Sequence, residues 1–215
     1  MELIDLVINE DDKDNSGVTG VATVDVPATN ESYFAFNSQK PKKYTIHCSS
    51  STKGSFKPVG DKQILAGALM IPDMEIYRVS EETGKEFNVR FKKETIETIV
   101  KKFSRLGYAN SINQMHDPNK KIEGSYLFQS FIINRDMGVM PPLGQDHLPD
   151  GTWFGMVYIG DKVIWDAFIK TGIYTGFSVE GNFYEKPVEP GTEDEDDEDE
   201  DFKRDLAKWL NEQIK

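Results

Sequence analysis

The stretch Tyr174-Thr-Gly-Phe-Ser-Val-Glu-Gly181 sets one small hydroxyl, Ser178, between Phe177 and Val179, with Gly176 before it and Gly181 after. Tyr, Phe and Val favour an extended strand, and strand side chains alternate between two faces. Phe177 and Val179 then point one way, Ser178 and Glu180 the other. The glycines remove side-chain bulk where a second backbone or a substrate comes close. A serine displayed in this way is a nucleophile if a histidine from elsewhere reaches it. Otherwise it is a polar residue on the outer face of a half-solvated strand.

The chain offers three histidines as bases. His47 lies in an early Ser- and Lys-rich excursion. His147, in Gln145-Asp-His-Leu-Pro149, sits in a Pro- and Gly-rich loop. His116, in Asn113-Gln-Met-His-Asp-Pro118, falls on a connection between a predicted helix and a predicted strand. Each reads equally well as a surface residue. They are widely scattered, and a metal hydrolase needs several ligands in one cluster, so no metal or cofactor is expected.

The elements that must position these groups follow from hydrophobic pattern. Residues 1–9 and Val18 to Val26 read as strands, the second ending at Pro27, where ladder pairing weakens. Residues 37–62 form a long excursion with one short strand, Tyr44-Thr-Ile-His47. Ile64 to Ile71 is a dense apolar run closed by Pro72, a buried strand. Ile76–Val79 and Glu86–Phe91 flank the turn Glu82-Thr-Gly-Lys85, a hairpin. Ile96, Ile99, Val100 and Phe103 fall on one helical face, and Gly107 ends that helix. Tyr126 to Ile133 and Trp153 to Ile159 are further strands, separated by an irregular loop over 136–151. A short helix, Val163 to Lys170, capped by Gly172, leads into the Ser178 strand, and Phe183 and Tyr184 close the folded body.

At 215 residues the chain is one domain of good size with appendages. Its net charge is −12, but nine of those charges form the unbroken run Glu193–Asp201, leaving the body at −3 (−12 less −9). Nothing in that body resembles the basic footprint of a nucleic-acid binder. No apolar run approaches the ~20 residues of a membrane helix, and the acidic Met1-Glu-Leu-Ile-Asp-Leu start does not read as a secretory signal. A single cysteine, Cys48, rules out an intramolecular disulfide and suits a reducing, intracellular compartment. Like charges repel, so residues 187–201 read as a disordered acidic linker. After it, Phe202, Leu206, Trp209, Leu210 and Ile214 form a short amphipathic helix over 202–215.

The order of features resembles the prohead proteases of tailed bacteriophages, specifically the XkdF-like branch. The segments that carry the resemblance are Val24-Asp-Val-Pro-Ala28, Gly67-Ala-Leu-Met-Ile-Pro72 and Ile76-Tyr-Arg78, then the helix from Phe91 to Phe103. Met115-His116, Leu148-Pro-Asp-Gly-Thr-Trp153 and Tyr174 to Gly181 complete it. The resemblance spans roughly residues 1–185 and implies a protease domain over 1–186. It implies an α+β fold, a mostly antiparallel β-barrel with a few surrounding helices, like the herpesvirus assembly proteases. It also implies a serine endopeptidase acting in the host cytoplasm, inside the procapsid. The substrates would be scaffold and the major capsid protein, and often the enzyme itself. His116 matches the family's catalytic histidine and Ser178 its serine.

A serine hydroxyl needs a base within ~2.6–3.2 Å, and the base needs a group that fixes its tautomer. The herpesvirus solution, a second histidine on a later strand, is closed here because no histidine follows Ser178. Glu180, two residues along the same strand face with its Cα ~7 Å away, ranks first; Asp117 and His147 are the alternatives. Members of the branch often carry a Glu-Ser pair in the strand after the histidine, where this chain has Gln129-Ser130. The competing reading is a catalytically silent assembly protein that keeps the fold and binds scaffold or capsid. The terminal helix is expected to dock on scaffold; the sequence leaves a homo-oligomer open.

Overall fold

The computed structural model describes residues 2–11, 16–25, 34–35, 62–79 and 84–188. His47, Cys48, the Tyr44–His47 strand, residues 26–28 and the start of the 82–85 turn lie outside the described residues. So do the acidic run and the terminal amphipathic segment.

The first half of the chain supplies β1 (Glu2–Val7), β2 (Gly17–Val24), β3 (Phe34–Ala35), β4 (Ile64–Met70), β5 (Ile76–Val79) and β6 (Glu86–Arg90). Helix α1 (Lys93–Leu106) then leads to β7 (Ile112–Gln114), β8 (Asp117–Lys121), β9 (Tyr126–Ile132) and β10 (Trp153–Tyr158). A helical turn α2 (Lys162–Ile164) widens into a π-helical turn over Trp165–Ile169, and β11 (Gly176–Asn182) and β12 (Tyr184–Pro187) follow. The apolar runs, the helix period and the loop over 136–151 therefore appear where the sequence puts them.

Two readings change. Residues 113–118 are no plain connection: they span the hairpin of β7 and β8, with Gln114 opposite Asp117. The folded body also continues past Tyr184, because β12 pairs antiparallel with β1 from Tyr184–Val7 to Pro187–Ile4.

Three four-stranded sheets result, ordered β12-β1-β6-β5, β3-β4-β10-β9 and β11-β2-β7-β8. Pairing is antiparallel except for β1 with β6 and β2 with β7. The fold is α+β and mostly strand, as expected. The barrel is corrected: among the described residues each sheet keeps two outer strands, whereas a barrel needs its first and last strands to pair.

The main core lies between the sheets and α1. Ile96, Ile99 and Phe103 of α1 meet Val21, Ile112, Leu69, Trp153 and Phe177 there, all nearly fully buried. Gly107 ends α1 in the left-handed region at φ 76°, and its N–H reaches back to the Phe103 and Ser104 carbonyls, a geometry that glycine adopts without Cβ strain. Phe103 packs edge-on against Trp153 with centroids 5.1 Å apart. We predict that Phe103→Ala lowers unfolding free energy by about 3–5 kcal/mol. Urea titration checks it; a loss below about 1 kcal/mol would show that this ring does not join α1 to the sheets.

Candidate active site

The site is built on the β11-β2-β7-β8 sheet. Ser178 pairs with Ala22 of β2, and Ala22 pairs with Asn113 of β7. Residues paired in this way share a face, so Ser178, Asn113 and Glu180 project together while Phe177 turns into the core. Ser178 is only 6% exposed, not the half-solvated residue of the simplest reading.

Glu180 makes the contacts that define the site. Its Oε1 accepts a 2.6 Å hydrogen bond from Nδ2 of Asn113. Its Oε2 lies 3.4 Å from Nδ1 of His116. To reach both, the side chain crosses β2 over Gly20, its own ladder partner. A Cβ at position 20 would stand 2.5 Å from Oε1 and 3.2 Å from Cδ of Glu180. The absence of a side chain at Gly20 is what lets the carboxylate lie there.

His116 sits at the tip of the β7–β8 hairpin. Met115 and His116 both have positive φ, 54° and 57°, as the two-residue hairpin turns require and as Asn-Gly satisfies most easily. Such residues cost about 1–3 kcal/mol each and persist where the surroundings over-determine them. Here the Met115 N–H bonds the Thr23 carbonyl at 3.0 Å, and His116 meets Glu180. The buried Tyr174 braces the hairpin by donating its hydroxyl to Gln114 Oε1 at 3.1 Å; burial is the main cause pushing that phenol upward in pKa.

The alternatives for the third member are placed elsewhere. The Asp117 carboxylate accepts from the Asn119 N–H at 2.9 Å and pairs with Lys120 at 3.4 Å. The Asn119 bond first, with help from Lys120, holds its pKa below the usual carboxylate value. His147 is exposed in the loop between β9 and β10, and Gln129 and Ser130 are exposed on β9, in a different sheet from Ser178. The structure thus brings His116 and Glu180 together. Among the described residues no hydrogen bond joins Ser178 to His116.

Sequence reasoning missed Asn113 and Gly20. Asn113 is 6% exposed and its Oδ1 is buried without a partner among the described residues. One amide nitrogen is therefore committed to Glu180 while the amide oxygen has no donor. The only signal in the sequence is a glycine inside the β-branched run Val18-Thr-Gly-Val-Ala-Thr-Val24, which usually marks a close approach.

A histidine whose Nδ1 faces a carboxylate, on the sheet face that displays a buried serine, is an arrangement used to activate hydroxyl nucleophiles in hydrolases. The family model that matches residues 55–185, more than half of the chain, is described as "Putative phage serine protease XkdF". The chain belongs to that phage family. No curated protein and no solved structure matches it, so the likeness to herpesvirus proteases gains nothing from comparison.

Gly20 separates site from stability. Its φ is not in the left-handed region, so alanine suits the strand backbone and the clash falls on a movable carboxylate. We predict that Gly20→Ala leaves the melting temperature unchanged or slightly raised but breaks the Glu180–His116 contact. Ring-nitrogen NMR of the histidines reads this directly. An unchanged His116 spectrum in Gly20→Ala would show that Glu180 does not need the path over residue 20.

Proposed function

We propose that this chain is a serine endopeptidase that cleaves scaffold, the capsid precursor or its own chain during phage head maturation. The observation that carries the reading is the 3.4 Å approach of His116 Nδ1 to Glu180 Oε2 on the face that displays Ser178. With Nδ1 turned to the carboxylate, Nε2 is the nitrogen left to serve the hydroxyl.

In the proposed reaction Ser178 Oγ attacks the scissile carbonyl and passes its proton to His116 Nε2. Glu180 stabilises the imidazolium and keeps the ring in the required tautomer. The tetrahedral intermediate collapses as Nε2–H gives its proton to the leaving amine, leaving an acyl group on Ser178. Water, deprotonated by the same nitrogen, then releases the acyl group. The Ser178–His116 hydrogen bond forms in the substrate complex, since such contacts are often loose without substrate, and His116 sits on an exposed turn.

The second reading, a silent assembly protein that binds scaffold or capsid, draws on the missing Ser178–His116 hydrogen bond. The two readings differ in one assay. Co-expression with scaffold and capsid protein should yield trimmed products from wild type and none from Ser178→Ala, which keeps its fold. Glu180→Gln should lower turnover at least about a hundredfold, within the ~10²–10⁴ typical of acid–base groups. Undiminished trimming by Ser178→Ala would sink the protease reading, and a Glu180→Gln enzyme within threefold of wild type would remove Glu180 from the triad.

The proposal extends to the tail. The apolar stripe Phe202, Leu206, Trp209 and Leu210 is too large to leave in water by choice, and a self-repelling acidic linker extends its reach. We assign it to scaffold docking, which would carry the enzyme into the growing shell. Deleting residues 190–215 should leave activity on a free peptide nearly unchanged and reduce incorporation into procapsids. Normal packaging of the truncated chain would remove the targeting role.

A further inference from the structure

Asn113 is the second partner of Glu180, and the proposed reaction gives it no role. Its backbone is fixed from two sides. It pairs with Ala22 of β2 and with Lys121 of β8, and the Thr23 hydroxyl donates to its carbonyl at 3.4 Å. The β7–β8 register slips between Asn113 and Gln114, and irregularities of this kind re-aim side chains beside active sites. Among the described residues, Nδ2 of Asn113 is the one side-chain donor to Oε1 of Glu180.

The other end of this amide is poorly placed for stability. Asn113 is 6% exposed, and its Oδ1 is buried without a donor among the described residues. A buried acceptor left unpaired is destabilising, and a β-branched apolar residue suits a buried strand position better. Glu180 does not need the amide for solvation either. Its side chain is 30% exposed, so water can replace a lost donor. What water cannot supply is direction. With Oε1 held by an amide on a fixed strand, Oε2 is presented at one place, and that place is 3.4 Å from His116 Nδ1.

We propose that Asn113 is a positioning residue for the reaction: it fixes which oxygen of Glu180 faces His116, and where, at a cost to the stability of the strand that carries it. It acts through Glu180 and takes no proton itself. This inference rests on Glu180 and Ser178 serving as the proposed function has them.

The test is Asn113→Val in the full-length protein, with three readouts. The melting temperature should rise or stay level, because an orphaned acceptor is removed. The ring-nitrogen NMR signals of His116 should shift, because Oε2 loses its fixed place. The rate at which a fluorophosphonate labels Ser178 with release of fluoride, followed by mass spectrometry, should fall about ten- to a hundredfold, the scale on which an ångström of misplacement acts. Added to Glu180→Gln, the same substitution should cost less than about threefold more, because residues that act as a unit are not additive. Should Asn113→Val not fold, Asn113→Ser is too short to reach Oε1, and the same NMR shift and rate loss are expected of it. A residue that only supports the strand would show the reverse, a lower melting temperature with His116 signals and labelling rate unmoved, and that result overturns the proposal. So does an undiminished further loss on top of Glu180→Gln. Absence of Ser178 labelling in folded wild type removes the nucleophile, and the positioning role with it. Where wild type is labelled but the His116 signals stay unmoved in a folded Asn113 variant, the positioning role alone falls.

Discussion

The site depends on one carboxylate crossing one strand. Glu180 starts on β11, passes over β2 at Gly20 and ends between Asn113 and His116 on the β7–β8 hairpin. Each carboxylate oxygen has its own partner: Oε1 takes the Asn113 amide, and Oε2 faces the imidazole. A flexible side chain laid across the neighbouring strand loses rotamer entropy, and the short Asn113 bond offsets that loss. The amide also leaves Oε2 aimed at His116, because rotating the carboxylate would break the Asn113 contact.

The strand that everything crosses is β2. It pairs antiparallel with β11 and parallel with β7, and its other face packs Val21 into the main core beside Ile112 and Phe177. One face of this strand therefore holds the sheet to α1, while Gly20 and Ala22 leave the middle of the opposite face bare beside Val24. A larger residue at either position would stabilise a generic strand and fill the floor of the site. The alternation of core-facing and site-facing positions makes the fold and the chemistry two faces of the same eight residues, Gly17–Val24.

Local pattern made much of the fold legible. Ile96, Ile99, Val100 and Phe103 with Gly107 behind them specify a helix and its end within one stretch of sequence, and α1 ends where they indicate. The apolar run before Pro72 likewise specifies β4. The site is a different matter, because its contacts join residues 64 and 67 positions apart, and no local period carries such a pairing. Strand alternation predicted that Ser178 and Glu180 share a face, but it could not say that β2 and β7 lie beside them in that order. The hairpin at Met115-His116 was hidden for a further reason. Neither residue is a good donor of positive φ, so the turn has no sequence signature, and tertiary contacts impose it.

That imposed turn bears on how the site would work. His116 stands in a strained conformation on a two-residue turn, with its side chain 39% exposed, while Ser178 is buried within the sheet below. In the proposed reaction it is the substrate that completes the contact between them. A peptide bound over this face would, in that reaction, expel water from around Glu180. Lower effective dielectric strengthens the attraction between that carboxylate and a developing imidazolium. The strain held at residues 115 and 116 then acts in the same direction, because a turn already fixed by Thr23 and Tyr174 leaves the ring little to do but rotate about its side-chain bonds.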